Sequence, residues 1–245
     1  MLKIIKRGIL DVLFPITCLN CQKDGFWLCE ECKKNIAIQD FQLCPKCEKE
    51  NTPSGFLCLA CRLDRDFCLN ALISATTYDA PSLKKLIYNF KYRFASSLSD
   101  ILAQIILKAL LSHNIPLPAL IIPVPLHPKR LRWRGFNQAE LLAENISRNI
   151  SPLLEIPVLD ILTRKKYNKP QVEIRSYRER QKNVSGLFAL KPGLDSHLVK
   201  GKKILLVDDI ATTGATLHEC AKVLKAAGAK KVFAAVIARQ TIVQK

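Results

Sequence analysis

Eight of the ten cysteines in the 245-residue chain form four Cys-x-x-Cys pairs within its first quarter. A gap of two residues lets both sulfurs of a tight turn reach one metal ion, so two pairs supply the four thiolates of a tetrahedral zinc site. The spacing therefore predicts two zinc ions, and both are structural because four thiolates leave no open position for catalysis. The candidate ligands are Cys18, Cys21, Cys29, Cys32, Cys44, Cys47, Cys58 and Cys61.

Two questions about these cysteines stay open at the level of sequence. Seven residues separate the first two pairs and ten separate the last two, which favours sequential pairing on two ions, although an interleaved pairing also fits. Disulfides are the rival chemistry, but they require export. Asp11 breaks the apolar run at the N-terminus and no small-residue cleavage site follows it, which is not the pattern of an export signal. Cys68 and Cys220 are expected to be ordinary buried thiols.

A second chemical pattern begins at Ile204, where a hydrophobic strand ends in two carboxylates and a loop of small hydroxyl residues opens a helix. The strand would bring Asp208 and Asp209 to the edge of a sheet. The loop would present backbone N–H groups at a helix N-terminus, where the helix dipole favours a phosphate. Carboxylates beside a phosphate suit sugar hydroxyls or a Mg²⁺ bridge. The loop residues are Ala211, Thr212, Thr213, Gly214, Ala215 and Thr216.

The elements that must position these residues alternate between strands and helices from Ala71 onward. This alternation predicts an α/β fold with a parallel, doubly wound sheet. Ligands of such sheets bind beyond the carboxyl ends of the strands, which directs attention to the loops at 208–216 and 125–134. The predicted strands are 71–78, 119–124, 203–207 and 232–237, and the predicted helices are 82–92, 95–111, 137–148 and 213–227.

The segment from Ile204 to Thr216 resembles the phosphoribosyl pyrophosphate (PRPP) signature of type I phosphoribosyltransferases. Arg134-Gly-Phe-Asn-Gln138 after Pro123-Val-Pro-Leu126 resembles the ComF family of competence proteins in particular. The cysteine pairs behind Leu13-Phe-Pro15 and the spacing of Arg164, Gln171, Arg178 and Asn183 are also similar to that family. The resemblance covers nearly the whole chain. It implies a type I phosphoribosyltransferase-like parallel sheet flanked by helices, with a small N-terminal zinc-ribbon module.

We expect three parts in the chain: an amphipathic helix over 1–16, a double zinc ribbon over 17–68 and a phosphoribosyltransferase-like domain over 71–245. The helix would either pack on the zinc module or dock a partner, and the resemblance suggests a DNA-uptake helicase or another competence protein. The chain contains no run of about 18 uncharged apolar residues that could span a membrane. Together with the lack of an export signal, this predicts a cytoplasmic protein.

The resemblance also implies roles for individual residues. Asp208 and Asp209 would contact the ribose hydroxyls of PRPP, and the loop 211–216 would bind its 5-phosphate. The loop after Leu126 would hold the pyrophosphate through Lys129 and Arg130, while His127 is expected to be structural or to orient substrate. Residues 164–182 carry 8 basic and 2 acidic side chains and form a candidate lid.

The implied activity is transfer of ribose 5-phosphate from PRPP, with Mg²⁺, to an acceptor that the sequence does not identify. Mg²⁺ and Lys129, Arg130 or Lys165 would neutralise the departing pyrophosphate. The candidate catalytic residues are Asp208, Asp209 and Lys165, with Asp209 as the base if the nucleophile must lose a proton. In bacteria the resemblance links such a protein to natural competence, DNA uptake or the use of extracellular DNA.

Positive charge suggests a rival function. The formal net charge is +17, and residues 71–245 carry 28 basic against 12 acidic side chains, which exceeds what one PRPP molecule requires. Aromatic side chains among these cations favour single-stranded nucleic acid, although the spacing around Phe90 also fits core packing and Trp133 could pack on the zinc module. The rival is a non-catalytic, single-stranded-DNA-binding competence factor with PRPP as a regulatory ligand. Its candidate DNA-binding residues are Lys91, Arg132, Trp133 and Arg134.

Overall fold

The computed structural model describes residues 16–92, 96–151, 154–165 and 184–240. The expected N-terminal helix and the candidate lid from residue 166 onward lie outside the described residues. Within the described ranges, no helix combines the length and the apolar character needed to cross a membrane.

A four-stranded parallel sheet lies at the centre of the molecule, with strand order β3-β8-β7-β4. Two small antiparallel pairs, β1 with β2 and β5 with β6, lie outside it. The strands are β1 (Gln42–Leu43), β2 (Asn51–Thr52), β3 (Ala71–Thr77), β4 (Leu120–Pro123), β5 (Leu162–Arg164), β6 (Phe188–Leu190), β7 (Lys203–Ala211) and β8 (Lys231–Arg239). The α-helices are α1 (Glu30–Lys34), α2 (Leu59–Arg62), α3 (Pro81–Tyr92), α4 (Leu98–Ser112), α5 (Pro128–Arg134), α6 (Gln138–Asn149) and α7 (Ala215–Ala226).

The sheet is buried on both faces, as its continuous apolar strands predict. Because side chains alternate along a strand, Ile73 of β3 joins the core layer under α3, α4 and α6, whereas Leu72 joins the layer under α7. The predicted parallel sheet flanked by helices is thus confirmed.

Three elements differ from the sequence prediction. The segment after Leu126 is the helix α5 rather than a loop, with Pro128 in its first turn and Gly135 at its end. Strand β7 continues through Asp208 and Asp209 to Ala211, because these residues keep pairing with β8. The β5–β6 pair was not predicted, since three-residue strands leave no visible periodicity.

The N-terminal module docks on β3, which is an edge strand of the sheet. The side chain of Gln42 mimics a further strand here: its Nε2 donates to the carbonyl of Ser74 at 3.0 Å, and its Oε1 accepts from the Ser74 N–H at 2.8 Å. Phe56 adds an edge-to-face contact with Phe233 of β8, with ring centroids 6.1 Å apart. The module therefore pairs with the edge that would otherwise be open to other chains.

Candidate functional site

The eight paired cysteines form two groups, and in each the sulfurs all lie within 4.8 Å of one another. One group is Cys18, Cys21, Cys29 and Cys32, and the other is Cys44, Cys47, Cys58 and Cys61. Sequential pairing is therefore confirmed.

The sulfur positions suit zinc. A tetrahedral ion with bonds of about 2.3 Å places its sulfurs roughly 3.8 Å apart. The Sγ atoms of Cys21 and Cys29 are 3.6 Å apart, and those of Cys47 and Cys58 are 3.9 Å apart. Burial and the neighbouring thiols raise the pKa of Cys61 to about 12, an effect that a bound cation would reverse.

A second site is a cavity of about 540 Å³ at the carboxyl ends of β4 and β7. Its lining includes Asp208 and Asp209 from β7, which we call the acid pair, and Lys129, Arg130 and Arg134 from α5, which we call the basic wall. Acidic and basic side chains thus meet in one cavity, at the edge of the sheet where ligands of this architecture bind.

The two adjacent carboxylates have different partners. Asp209 is 13% exposed and forms an ion pair with Lys91 of α3, with 2.9 Å between Oδ1 and Nζ. Asp208 accepts a hydrogen bond from the backbone N–H of Asp209 at 2.8 Å. Burial, followed by the negative charge of Asp209, raises the pKa of Asp208 to about 7. The acid pair therefore carries less negative charge at neutral pH than two free carboxylates would.

The segment 211–216, which we call the phosphate loop, joins β7 to α7. Gly214 has φ +68°, a left-handed conformation that favours glycine, and α7 begins at the next residue. Thr213 accepts a weak hydrogen bond from the Ala215 N–H at 3.4 Å. Thr212 and Thr216 line the cavity. Hydroxyls and a helix N-terminus thus lie beside the acid pair, as the sequence predicts.

The basic wall contains one deeply buried cation. Arg134 is 8% exposed and donates from Nη1 to Oε1 of Gln138 at 2.7 Å. Within the described part of the chain, the Nε of Arg134 and the Nε2 of Gln138 are buried without a hydrogen-bond partner. Buried donors of this kind are rare in folded proteins unless a ligand or water satisfies them.

Three further basic residues near this wall differ in their positions, and one of them lines the cavity. Arg164 lines the cavity, whereas the predicted catalytic Lys165 is exposed and its N–H donates to the carbonyl of Leu187. His127 caps α5 by accepting from the Lys129 N–H at 3.1 Å. Partial burial lowers its pKa, and the charge of Arg164 lowers it further. A capping role agrees with the structural role expected for His127.

Three exposed aromatic rings form a rim on the cavity. Tyr88, Tyr92 and Trp133 all line it, and each is about half exposed, at 53%, 47% and 58%. The Tyr92 ring centroid is 5.2 Å from that of Tyr88 and 6.2 Å from that of Trp133, and the Arg134 guanidinium lies 5.5 Å from it. We call these three residues the aromatic rim.

The four residues predicted to bind DNA divide into two sets. Lys91 and Arg134 are only slightly exposed and face the acid pair inside the cavity. Arg132 and Trp133 are exposed, with Trp133 on the rim. The sequence did not indicate that Lys91 pairs with Asp209. Arg134 and Gln138, by contrast, are the two ends of a motif that is visible in the sequence.

Comparison with known proteins adds the family context. The Double zinc ribbon domain matches residues 9–67 and the Phosphoribosyl transferase domain matches residues 137–243. Competence protein F of Haemophilus influenzae is 31% identical over 89% of this chain and 95% of its own length. DNA utilization protein YhgH of Escherichia coli K12 is 32% identical over 85% of this chain and 88% of its own length.

More distant proteins also match. Competence protein ComFC of Streptococcus pneumoniae is 28% identical over 86% of this chain and 87% of its own length. Among solved structures, the glutamine PRPP amidotransferase of B. subtilis is 20% identical, with a TM-score of 0.34. That alignment covers 59% of this chain and 26% of the longer amidotransferase chain.

Proposed function

Since the chain belongs to the family of Competence protein F and DNA utilization protein YhgH, we propose that its cavity binds PRPP with Mg²⁺ and transfers ribose 5-phosphate to an acceptor. The observation that carries this proposal is the meeting of an acid pair, a phosphate loop and a basic wall in one cavity. The acid pair and the phosphate loop are consecutive in the chain, whereas the basic wall comes from α5. Each matches a different part of PRPP.

The acidic side of the cavity suits the sugar. Asp208 and Asp209 offer carboxylate oxygens that accept hydrogen bonds from ribose hydroxyls, and the N–H groups of the phosphate loop suit the 5-phosphate. The same carboxylates are oxygen ligands of the type that Mg²⁺ prefers. Bound with PRPP, Mg²⁺ would neutralise part of the charge on the pyrophosphate.

The basic side suits the leaving group. Arg134 and Gln138 line the cavity and carry two buried donors that have no hydrogen-bond partner among the described residues. Lys129 and Arg130 of α5 line the cavity as well. Preorganised donors of this kind stabilise negative charge as it develops on the departing pyrophosphate. Arg164 is better placed than Lys165 to assist, because it lines the cavity.

In the proposed reaction, the bond between the anomeric carbon and a pyrophosphate oxygen breaks, and a bond from that carbon to the acceptor forms. The electron pair of the broken bond leaves with pyrophosphate, and a proton of the acceptor passes to a base. Asp208 is the proposed base in place of Asp209, because Asp209 is held in its ion pair with Lys91. Burial raises the pKa of Asp208 to about 7 in the ligand-free protein, which makes it a better proton acceptor than an ordinary carboxylate.

Titration calorimetry with PRPP and Mg²⁺ tests binding. The wild-type protein should bind, and an Asp208→Asn/Asp209→Asn variant should lose binding. Asp195→Asn serves as a matched control, because Asp195 is an exposed cap of a short 3-10 helix that asparagine also caps. Equal affinity in the wild type and the double variant would refute the site. Pyrophosphate release in the presence of candidate acceptors then tests turnover.

A second function has its own observation, the aromatic rim. Bases of single-stranded DNA stack on exposed aromatic rings, each stack contributing about 1–3 kcal/mol, and the exposed Arg132 beside Trp133 supplies charge. We therefore propose the rim as a single-stranded-DNA contact, which is compatible with PRPP binding deeper in the cavity. In this function PRPP is a regulatory ligand.

Two variants separate stacking from charge in DNA binding. Trp133→Ala should weaken binding of an oligothymidylate by about tenfold while leaving the salt dependence unchanged, because stacking releases no counterions. Arg132→Gln should reduce the slope of log affinity against log salt by about 0.7, the value for one contact to a single strand. If neither variant changes the affinity, the rim is not the DNA contact.

A further inference from the structure

We propose that Glu48, on the turn of the second cysteine group, is a positioning residue for the phosphate loop and acts through Arg239. The inference rests on the proposed binding of PRPP in the cavity. It makes the N-terminal module a working part of that site and not only a cover for the edge of the sheet.

The first step is an ion pair between the module and the sheet. Oε1 of Glu48 lies 3.0 Å from Nη2 of Arg239, and the Arg239 side chain is only 7% exposed. Arg239 is the last residue of β8. A guanidinium buried to this degree needs an anionic partner, and the module supplies it from outside the sheet.

The second step leads from Arg239 to the phosphate loop. Arg239 is directly paired with Ala211, the last residue of β7 and the first of the loop. The next residue, Gln240, donates its N–H to the carbonyl of Ala211 at 2.8 Å and lines the cavity. Fixing the end of β8 therefore fixes the backbone from which the phosphate loop starts.

The same turn also lies near the middle of the loop. A Cβ added to Gly214 would lie 3.9 Å from the carbonyl oxygen of Pro45 and 3.7 Å from Cδ2 of Leu72. Pro45 lies between Cys44 and Cys47, so the second cysteine group lies close to the loop at its left-handed residue, with room for little more than a methyl group between them. One turn thus reaches the start of the loop through Arg239 and also borders its middle.

The turn itself is held by its cysteines. Glu48 has φ +59°, and its N–H donates to the carbonyl of Cys44 at 3.0 Å. The first cysteine group repeats this geometry at Gln22, which has φ +64° and donates to the carbonyl of Cys18 at 2.8 Å. The two turns are therefore equivalent in backbone, but only one carries the carboxylate that pairs with Arg239.

The first cysteine group packs in a different place. Cys18, Cys29 and Cys32 belong to the core layer that contains α3, α4 and α6. Ala211 and Ala215 of the phosphate loop belong to the other layer. Gln22 is exposed and offers a matched control position for Glu48.

The experiment compares Glu48→Ala with Gln22→Ala, which place the same residue at the same left-handed turn position. A Glu48→Gln variant removes the charge while keeping the shape. The full-length, zinc-loaded proteins are titrated with PRPP and Mg²⁺, and their zinc content is measured. We expect both Glu48 variants to keep two zinc ions and to bind PRPP about tenfold more weakly, in the range that coupling between neighbouring sites reaches. Gln22→Ala should bind like the wild type.

A double-mutant cycle assigns the effect to the ion pair. Once Arg239→Gln has removed the partner, Glu48→Gln should weaken PRPP binding no further. Additive losses would overturn the proposed route through Arg239. Unchanged PRPP affinity in both Glu48 variants would overturn the inference as a whole.

A ligand-free measurement separates this inference from the proposed function. Amide hydrogen exchange in residues 211–216 should be faster in Glu48→Gln than in the wild type, and unchanged in Gln22→Ala. If the wild type fails to bind PRPP, the proposed function fails while the exchange result still decides the positioning role. Equal exchange rates in all three proteins would refute that role.

Discussion

Asp208 and Asp209 are neighbours in sequence but differ in their electrostatic surroundings. Lys91 compensates the charge of Asp209 at 2.9 Å, whereas burial and Asp209 itself raise the pKa of Asp208 to about 7. The proposed function thus assigns a role to a residue that destabilises the ligand-free fold, which is a common trade-off in active sites. The pair should therefore show a stability penalty that depends on pH.

Asp208→Asn should stabilise the ligand-free protein in alkaline solution. Between the ordinary pKa of 3.8 and the folded value of about 7, the native state holds a proton that the unfolded state has released, so the free energy of unfolding falls as the pH rises. Asparagine cannot ionise, so the variant should not lose stability in this way as the pH rises. Urea unfolding without Mg²⁺ should show the variant more stable by about 1 kcal/mol or more at about pH 8, since one pKa unit corresponds to about 1.4 kcal/mol.

The advantage of Asp208→Asn should nearly vanish near pH 3, where the carboxyl is protonated in the folded state and mostly protonated in the unfolded state, whose pKa is 3.8. Asp195→Asn, at an exposed position, should follow the wild type at both pH values. A stabilisation of Asp208→Asn that does not change with pH would contradict the raised pKa.

Lys91→Met tests the other carboxylate. The substitution keeps the apolar stem of the side chain but leaves Asp209 without its cation, which should lower the free energy of unfolding by about 1–3 kcal/mol at neutral pH. Lys84→Met on the same helix is the control. Its pair with Asp79 is long, at 3.7 Å, and exposed, so its loss should change the unfolding free energy by about 0.5 kcal/mol or less. Equal effects in thermal or urea unfolding would contradict the asymmetry.

The contact between Lys91 and Asp209 was beyond sequence reasoning. The acid pair and the phosphate loop are consecutive in the chain, so a local pattern identifies them. Lys91 lies in another element, and its place depends on how α3 packs over the sheet. Its aromatic and basic neighbours were equally consistent with a DNA surface. The acid pair and the phosphate loop could therefore be predicted from the sequence, whereas Lys91 is brought to Asp209 only by tertiary packing.

At the scale of elements, the long periodic segments were predicted well. The four strands of the central sheet and its longer helices lie within a few residues of their predicted bounds. The helix α5 was missed because seven residues are too short for a visible periodicity. The end signals were nevertheless present, with Pro128 in the first turn and Gly135 at the end.

Gly55 controls how the second cysteine group docks on the sheet. A Cβ at this position would lie 2.1 Å from the carbonyl oxygen of Leu72, so Gly55→Ala must displace either the module or strand β3. We expect the free energy of unfolding to fall by about 3 kcal/mol or more, the range of severe packing and strain effects.

Gly25→Ala is the control for backbone strain. Both glycines have positive φ, at +63° for Gly55 and +87° for Gly25, but nothing lies within 4 Å of the position of a Cβ on Gly25. The control should therefore lose only about 1–2 kcal/mol, the strain of a left-handed residue. If urea unfolding shows the same decrease in the free energy of unfolding for both variants, the close approach of Gly55 to Leu72 is not what makes glycine necessary at this position.

At the scale of the whole molecule, the sequence suggested separate parts over 17–68 and 71–245, a division that stays a prediction. The contacts between them are extensive: Gln42 pairs with Ser74, Phe56 packs on Phe233, and cysteines of the first group lie in the core layer under α4. Composition and cysteine spacing indicate that a small module needs metal to fold. They do not indicate that its surface is shared with the sheet, since that depends on single side chains such as Gln42.

Such an interface should make the molecule unfold as one cooperative unit. The chain contains two tryptophans: Trp27 packs on the first core layer from within the N-terminal module, and Trp133 is on the aromatic rim. In a Trp133→Phe variant, fluorescence therefore reports the module alone, while far-UV circular dichroism is dominated by the sheet and its helices.

With zinc bound, the two signals should give the same urea midpoint, because coincident transitions are the mark of two-state unfolding. Removing zinc with a chelator should lower the midpoint of the circular dichroism transition as well, since the edge strand β3 then loses the support of the module. If the fluorescence midpoint lies well below the circular dichroism midpoint, and the chelator leaves the latter unchanged, the module unfolds separately from the sheet and does not stabilise it.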